Sequence, residues 1–216
     1  MTGLMTKDFL VMRKSLKSYL LIMALYAVMA WLDILNYGFI ITFIQVMLMV
    51  LPITAFAYDE QSKWDRYAMS LPLGRGKVVG ARYLFVLALT LATTAIGLAT
   101  TAILALAREA DPVEMILTLE VSTTIGLLVP AIILPLCYKL GAERARPYLY
   151  AIIFIPVIAF VLLVKAEIID FSALNRLNGL SPTAILGGST LLPLAGLAGL
   201  AVSYLISCRV AAGKEY

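Results

Sequence analysis

The chain has 216 residues, of which 62% are hydrophobic and only 14% charged, with a net charge of +4 and a mean hydropathy of +0.96. A soluble domain of this size carries roughly a quarter charged residues, so the composition excludes a soluble globular fold and leaves no room for a separate water-exposed domain. The chain also contains no histidine, which removes the commonest general base and metal ligand and argues against a zinc protease, a Ser-His-Asp hydrolase or a haem protein.

Apolar runs near the bilayer-spanning length of about 20 residues recur throughout. The expected fold is an all-α integral membrane protein, a single transmembrane domain over 1–216 with spans at 19–35, 38–58, 83–107, 115–138, 148–164 and 191–208. Residues 1–18 read as an amphipathic elbow helix lying in the membrane interface. Met5, Phe9, Met12, Leu16, Tyr19 and Leu20 share one face, and Lys7, Arg13, Lys14, Lys17 and Ser18 the other, with Leu10 and Val11 breaking the pattern. A basic amphipathic helix suits an anionic inner leaflet. It serves either as a topology anchor or as an elbow that also helps hold a cytoplasmic partner, with Lys7, Asp8, Phe9 and Arg13 the residues of interest. No small-x-small cleavage site follows, so the first apolar run reads as an uncleaved helix. Asn36-Tyr37 then joins the first two spans in a tight hairpin.

Residues 56–77 form a dense polar cassette, FAYDEQSKWDRYAMSLPLGRGK. Asp59 is placed to cap a helix N-terminus, with Glu60 and Gln61 in its first turn, where the helix dipole favours acid. Trp64, Tyr67, Ala68 and Leu71 fall at i, i+3, i+4 and i+7, one continuous stripe. Glu60 and Lys63 are spaced to pair, Asp65 and Arg66 lie off the stripe, and Pro72 and Gly74 end the helix. The expectation is a short amphipathic helix over 59–71. A helix that short is marginal in water and needs a surface. Its alternating charges suit a protein groove better than a bilayer, for which a uniformly basic polar face is the norm. The Gly76-Lys77 pair is not a phosphate loop, since position 71 is Leu and position 78 Val where Gly and Ser or Thr are required.

Further along, Thr93, Gly97, Thr101 and Ala105 in the third span, and Ala195, Gly199 and Ser203 in the sixth, repeat small residues every four positions. Such stripes let helices approach closely, within one chain or between two copies. Glu120, about a turn into the fourth span, is either a residue reaching the interface or a functional group lining an external gate or pairing with Arg108. Pro130 and Pro135 are expected to kink that span. Residues 165–190 read as an external re-entrant or interfacial segment, or as a loop folded over the helix ends. Cys137 and Cys208 fall at inner span ends and read as reduced packing residues. Basic residues concentrate at the N-terminus, the cassette, 139–146 and the C-terminus, which places both termini in the cytoplasm.

The start Leu4-Met5-Thr6-Lys7-Asp8-Phe9, two spans, then Tyr58-Asp59-Glu60, Lys63-Trp64-Asp65 and Ser70-Leu71-Pro72 resemble the bacterial ABC-2 type permeases. These are membrane subunits of ABC exporters whose ATPase is a separate chain. The resemblance covers essentially the full length. It implies that the cassette is the coupling helix docking on the ATPase, with Asp59, Glu60, Lys63, Trp64, Asp65, Arg66 and Tyr67 at the contact. It also implies that ATP and magnesium are bound by that partner while this chain holds no cofactor or metal and is no enzyme. Exporters of antimicrobial or cytolytic peptides occur in the group.

The resulting expectation is a permease subunit in the bacterial cytoplasmic membrane. It pairs with a second copy of itself and two ATPase subunits, contacts the lipid bilayer and no nucleic acid, and moves an amphipathic or hydrophobic substrate outward. Six spans are too few to enclose a large path alone, and the interior offers few charges. The alternative is a stand-alone secondary transporter or a self-immunity protein using Glu120 as a proton or ion site. The mixed-charge cassette argues against it.

Overall fold

The computed structural model describes residues 2–32, 34, 36–64, 67, 75–108, 111–166 and 182–213. These form seven helices and no strand: α1 (Thr2–Trp31), α2 (Tyr37–Gln61), α3 (Arg75–Arg108), α4 (Pro112–Leu140), α5 (Ala142–Lys165), α6 (Pro182–Ser189) and α7 (Leu191–Ala212). The chain is an all-α membrane protein. Among the described residues, five helical stretches are long and apolar enough to cross a bilayer, within α2, α3, α4, α5 and the run Leu186–Ala212, while α1 carries a shorter apolar stretch, Ser15–Tyr26.

The elbow helix and the first span prove to be one uninterrupted helix of 30 residues, about 45 Å long. No proline interrupts residues 2–31 and the sole glycine there is Gly3, so nothing breaks the backbone ladder between the interfacial and apolar parts. The face assignment also changes. Asp8 and Met12 are buried, Leu16 and Tyr19 pack on the core, and Phe9, Leu10, Leu20 and Leu21 are exposed. The buried line follows i, i+4, i+8 from Leu4 and takes an acid inward.

Local signals set the helix ends. The Asn36 side chain accepts from Gly38 N–H at 2.9 Å, capping α2, and Asp111 does the same for α4 through Val113 N–H at 2.9 Å. Proline at N1 suits the first turn of α4, where its missing N–H costs nothing. Downstream, α4 continues as one helix through Pro130 and Pro135. It is the central element and packs against α2, α3, α5, α6 and α7.

Small residues permit the close approaches. Gly97 of α3 sits so near Leu119 of α4 that a Cβ there would force the Leu119 Cδ1 methyl to move. On α7, a Cβ at Gly196 would lie 3.2 Å from Leu127 and one at Gly199 3.6 Å from Leu128. At these positions, both small-residue stripes therefore serve packing within the chain. The main core joins Phe56, Val86, Leu127, Ile133, Leu134 and Leu200, and a second cluster of Met12, Leu51, Ala55, Phe85 and Leu89 fixes α1 on α2 and α3. By contrast α5 touches its neighbours through Ala142, Ala145, Leu149 and Ile152 in its first turns. Its remaining length is apolar and exposed, as a lipid-facing helix would be.

Of the external segment 165–190, residues 167–181 lie outside the described residues. The remainder contains α6, which packs on α4 and α7. Cys137 is buried and Cys208 partly so, and both are free thiols.

Candidate functional site

Four charged side chains from three helices meet at the end of the bundle that holds the start of α1 and the end of α7. Lys7 and Asp8 come from α1, Asp59 from the last turn of α2 and Arg82 from the third turn of α3. Lys7 Nζ donates to Asp59 Oδ1 at 2.6 Å and lies 3.2 Å from Asp8 Oδ1. Arg82 hydrogen-bonds Asp59 Oδ2 through Nη2, and its Nη1 forms an ion pair with Asp8 Oδ2 at 3.1 Å. Asp8, Asp59 and Arg82 are 4, 6 and 6% exposed. Buried charge is tolerated only when paired, and two acids against two bases give the cluster a net charge of zero.

Aromatic rings close the cluster on both sides. The Arg82 guanidinium lies 4.7 Å from the Phe56 ring centroid, and Lys7 Nζ lies 4.4 Å from that of Trp64. Cation–π contacts of this kind strengthen as water is excluded. The recess between these side chains holds about 20 Å³, room for about one water molecule and none for a substrate. The cluster is a tie between helices.

The neighbouring residues extend the tie. Ala142 N–H donates to Glu60 Oε2 at 2.6 Å and Glu143 N–H at 3.2 Å, so Glu60 caps α5 and meets the positive end of its dipole. The close approach depends on Gly141, whose φ of +89° and ψ of 162° belong to a region essentially reserved for glycine. A Cβ there would lie 2.8 Å from Glu60 Oε1. On α3, Tyr83 follows Arg82 and points to α7, its hydroxyl 2.6 Å from Ser203 Oγ and 2.7 Å from Ser207 Oγ. Asp59 and Glu60 thus grip α1, α3 and α5, and Arg82 and Tyr83 extend the connection to α7.

These contacts correct the expected start of the cassette helix. Residues 59–61 are the end of α2, so Asp59 is an ion-pair partner within a helix and not an N-cap. Glu60 does sit at a helix N-terminus, but at that of α5, and it does not pair with Lys63. The chain leaves α2 at Ser62, and Lys63 takes a left-handed φ of 53°, which turns Trp64 back over Lys7. Trp64 and Tyr67 are both helical, with ring centroids 5.1 Å apart. Asp65, Arg66 and residues 68–74 lie outside the described residues.

Of the elbow residues, Phe9 stacks edge-on against Phe85 at 5.7 Å and Arg13 is exposed. Pro130 is buried and Pro135 half-buried in α4. Glu120 is half-buried, and its Oε2 has no hydrogen-bond partner among the described residues.

Arg82, the centre of the cluster, is not among the residues that the sequence patterns single out. A usable signal was present, since Asp8, Asp59 and Arg82 each border an apolar run at the same side, where unpaired charges are costly.

Gly141→Ala is expected to lower stability by about 2 kcal/mol, the order of cost for a side chain in this backbone region. Thermal unfolding in detergent measures it. Combined with Glu60→Ala, the loss should fall short of the sum of the two single losses, because both remove one cap.

Residues 3–211 match the family model described as ABC-2 family transporter protein. No curated protein and no solved structure is significantly similar to the chain.

Proposed function

Because the chain belongs to the ABC-2 family of transporter proteins, a multi-pass membrane permease of an ABC transporter, we propose that it serves as the permease subunit of an exporter. Its family implies an ABC ATPase partner. In this reading the segment entered at Trp64 is the surface on which that ATPase acts. One observation carries the proposal: the residues immediately before that segment, Asp59 and Glu60, hold α1, α3 and α5 at once. A displacement applied at Trp64 and Tyr67 is then delivered to the bundle as a whole.

ATP and magnesium bind in the partner, and closure of two ATPase subunits moves two such segments, one on each of two permease copies. The bundle shifts between discrete packings, which differ in energy by an amount that ATP binding can offset. The termini and Trp64 face the cytoplasm of a bacterial cell. In support, Lys7, Lys63, Lys77, Arg144, Arg146 and Arg209 all sit at that end of the bundle, as the positive-inside rule requires. The substrate is amphipathic or hydrophobic, a peptide or a drug-like molecule, since the buried surface offers few charges outside the cluster.

The test is co-reconstitution with the ATPase in liposomes, using a fluorescent cationic amphipathic peptide as the transport probe. Transport should need ATP and the ATPase. Glu120→Gln should keep at least half of it, because Glu120 belongs to none of the contacts described above. Transport by the permease alone in a proton gradient, lost in Glu120→Gln, would instead establish a stand-alone transporter and sink this proposal.

A further inference from the structure

A second polar feature lies inside the bundle, away from the charge cluster. Five buried side-chain atoms have no hydrogen-bond partner among the described residues: Gln45 Nε2, Arg82 Nη1, Thr94 Oγ1, Glu120 Oε2 and Thr123 Oγ1. Arg82 Nη1 has its ion pair with Asp8. The other four fall in one layer of the bundle.

Contacts one turn away define that layer. Ile41 of α2 and Leu119 of α4 share a core cluster, and Gly97 of α3 packs on Leu119. Helices α2 and α4 run in the same direction and α3 runs against them. One turn from these residues toward the terminal end of the bundle stand Gln45, Thr123 and Thr93, which are 1, 4 and 3% exposed. The Thr93 hydroxyl lies 3.2 Å from Gln45 Oε1 and joins α2 to α3 at this level. Thr94 is the next residue of α3, and Glu120 precedes Thr123 by one turn of α4. Thr123 lies about 16 Å along α4 from its start, within a hydrocarbon core about 30 Å thick.

The two threonines depart from a local rule. Thr42, Thr54, Thr90, Thr101, Thr118 and Thr124 each donate to the carbonyl four residues back, at 2.7–3.0 Å. That bond satisfies a hydroxyl inside its own helix. Thr94 and Thr123 are equally helical and forgo it. A rotamer that gives up the local bond in a membrane interior needs another partner, because unmet polar groups are costly there. Gln45 makes the same demand. Whichever end of its carboxamide meets Thr93, the other end is left over.

The chemistry of the four groups narrows the ligand. Gln45 offers N–H donors, Glu120 an acceptor and the hydroxyls both. The partner must therefore donate and accept. Gln45 and Thr123 are also closed off by burial, which excludes a lipid headgroup or a peptide in this packing. A buried water, which typically makes about three hydrogen bonds, meets both conditions.

We propose that this layer is an internal water-binding site, in which water bonded to Gln45, Thr94, Glu120 and Thr123 ties α2, α3 and α4 together inside the membrane. The site rests on the membrane-spanning reading of the chain and on neither an ATPase nor a substrate.

The experiment replaces each hydroxyl with a methyl of nearly the same shape and measures thermal unfolding of the full chain in detergent. A hydroxyl bonded to water contributes to stability. Thr94→Val and Thr123→Val should each lower the unfolding temperature by about 3 °C. Thr101→Val is the control, since the Gly97 carbonyl already meets that hydroxyl, and it should shift the temperature by less than about 1 °C. A structure of the full chain at about 2 Å resolution should show water within about 3.2 Å of Gln45 Nε2 and of Thr123 Oγ1.

An unchanged or higher unfolding temperature in both Thr94→Val and Thr123→Val would overturn the proposal, because a dry, unmet hydroxyl is better removed. So would a structure in which the layer holds no water, with Gln45 and Thr123 turned to protein partners or with an ion or substrate in its place. Neither readout involves ATP, the ATPase or transport. A failed water result therefore leaves the permease proposal standing, and the reverse also holds.

Discussion

Replacing Arg82 with methionine will destabilise the chain by about 3–5 kcal/mol, the usual cost of removing one partner from a buried ion pair. The substitution leaves Asp8 and Asp59, both nearly inaccessible, with Lys7 alone between them. The expected readout is a large fall in unfolding temperature in detergent and reduced accumulation in membranes. Asp59→Asn added to Arg82→Met should recover part of the loss, because it removes one of the stranded charges. The replacement Lys7→Met, Asp8→Leu, Asp59→Leu and Arg82→Met together should fold close to normally, since a well-packed apolar substitute for a buried charge cluster is often neutral. That quadruple variant separates stability from coupling. If the cluster transmits motion, the variant will assemble with the ATPase but hydrolysis and transport will no longer be linked. Normal ATP-driven transport by it would show that the cluster only holds the fold.

Trp64→Ala will reduce co-purification of the ATPase at least tenfold. A tryptophan at the centre of a contact commonly contributes 2 kcal/mol or more to binding, which is roughly thirtyfold in affinity. The fold should survive, because Lys7, which loses the ring, keeps its ion pairs with Asp8 and Asp59. The measurement is affinity capture from native membranes with the unfolding temperature as control. Unchanged capture would remove Trp64 from the proposed contact, and a fallen unfolding temperature would show that the ring matters to the cluster instead.

The spans were legible in the sequence because apolar length is a local property. The observed α2, α4 and α7 begin within three residues of the expected spans and α3 and α5 begin earlier, with polar first turns that hydropathy does not count. The cassette was harder to read for a physical reason. An acid after an apolar run satisfies the rules for an N-cap and also those for a buried ion pair at the end of the preceding helix. Only the position of Arg82, 23 residues away, separates the two. Glu60 shows the same ambiguity: an acid near a helix N-terminus was the correct principle, but the helix begins 82 residues downstream at Ala142. Asp8 was hidden by its neighbours, since the cationic wheel pattern around it suggested a face turned to lipid headgroups. Pairings across helices depend on rotation about each axis, and a periodicity of single residues does not encode that.

The central claim is that the segment entered at Trp64 meets an ABC ATPase. A photo-cross-linking residue at position 67, where the native Tyr67 is 56% exposed, tests it most directly, with position 190 at the opposite end of the bundle as the control. Irradiation of native membranes should join the ATPase subunit to position 67 and not to position 190. The absence of an ATPase adduct at 67, or an equal adduct at 190, would contradict the account.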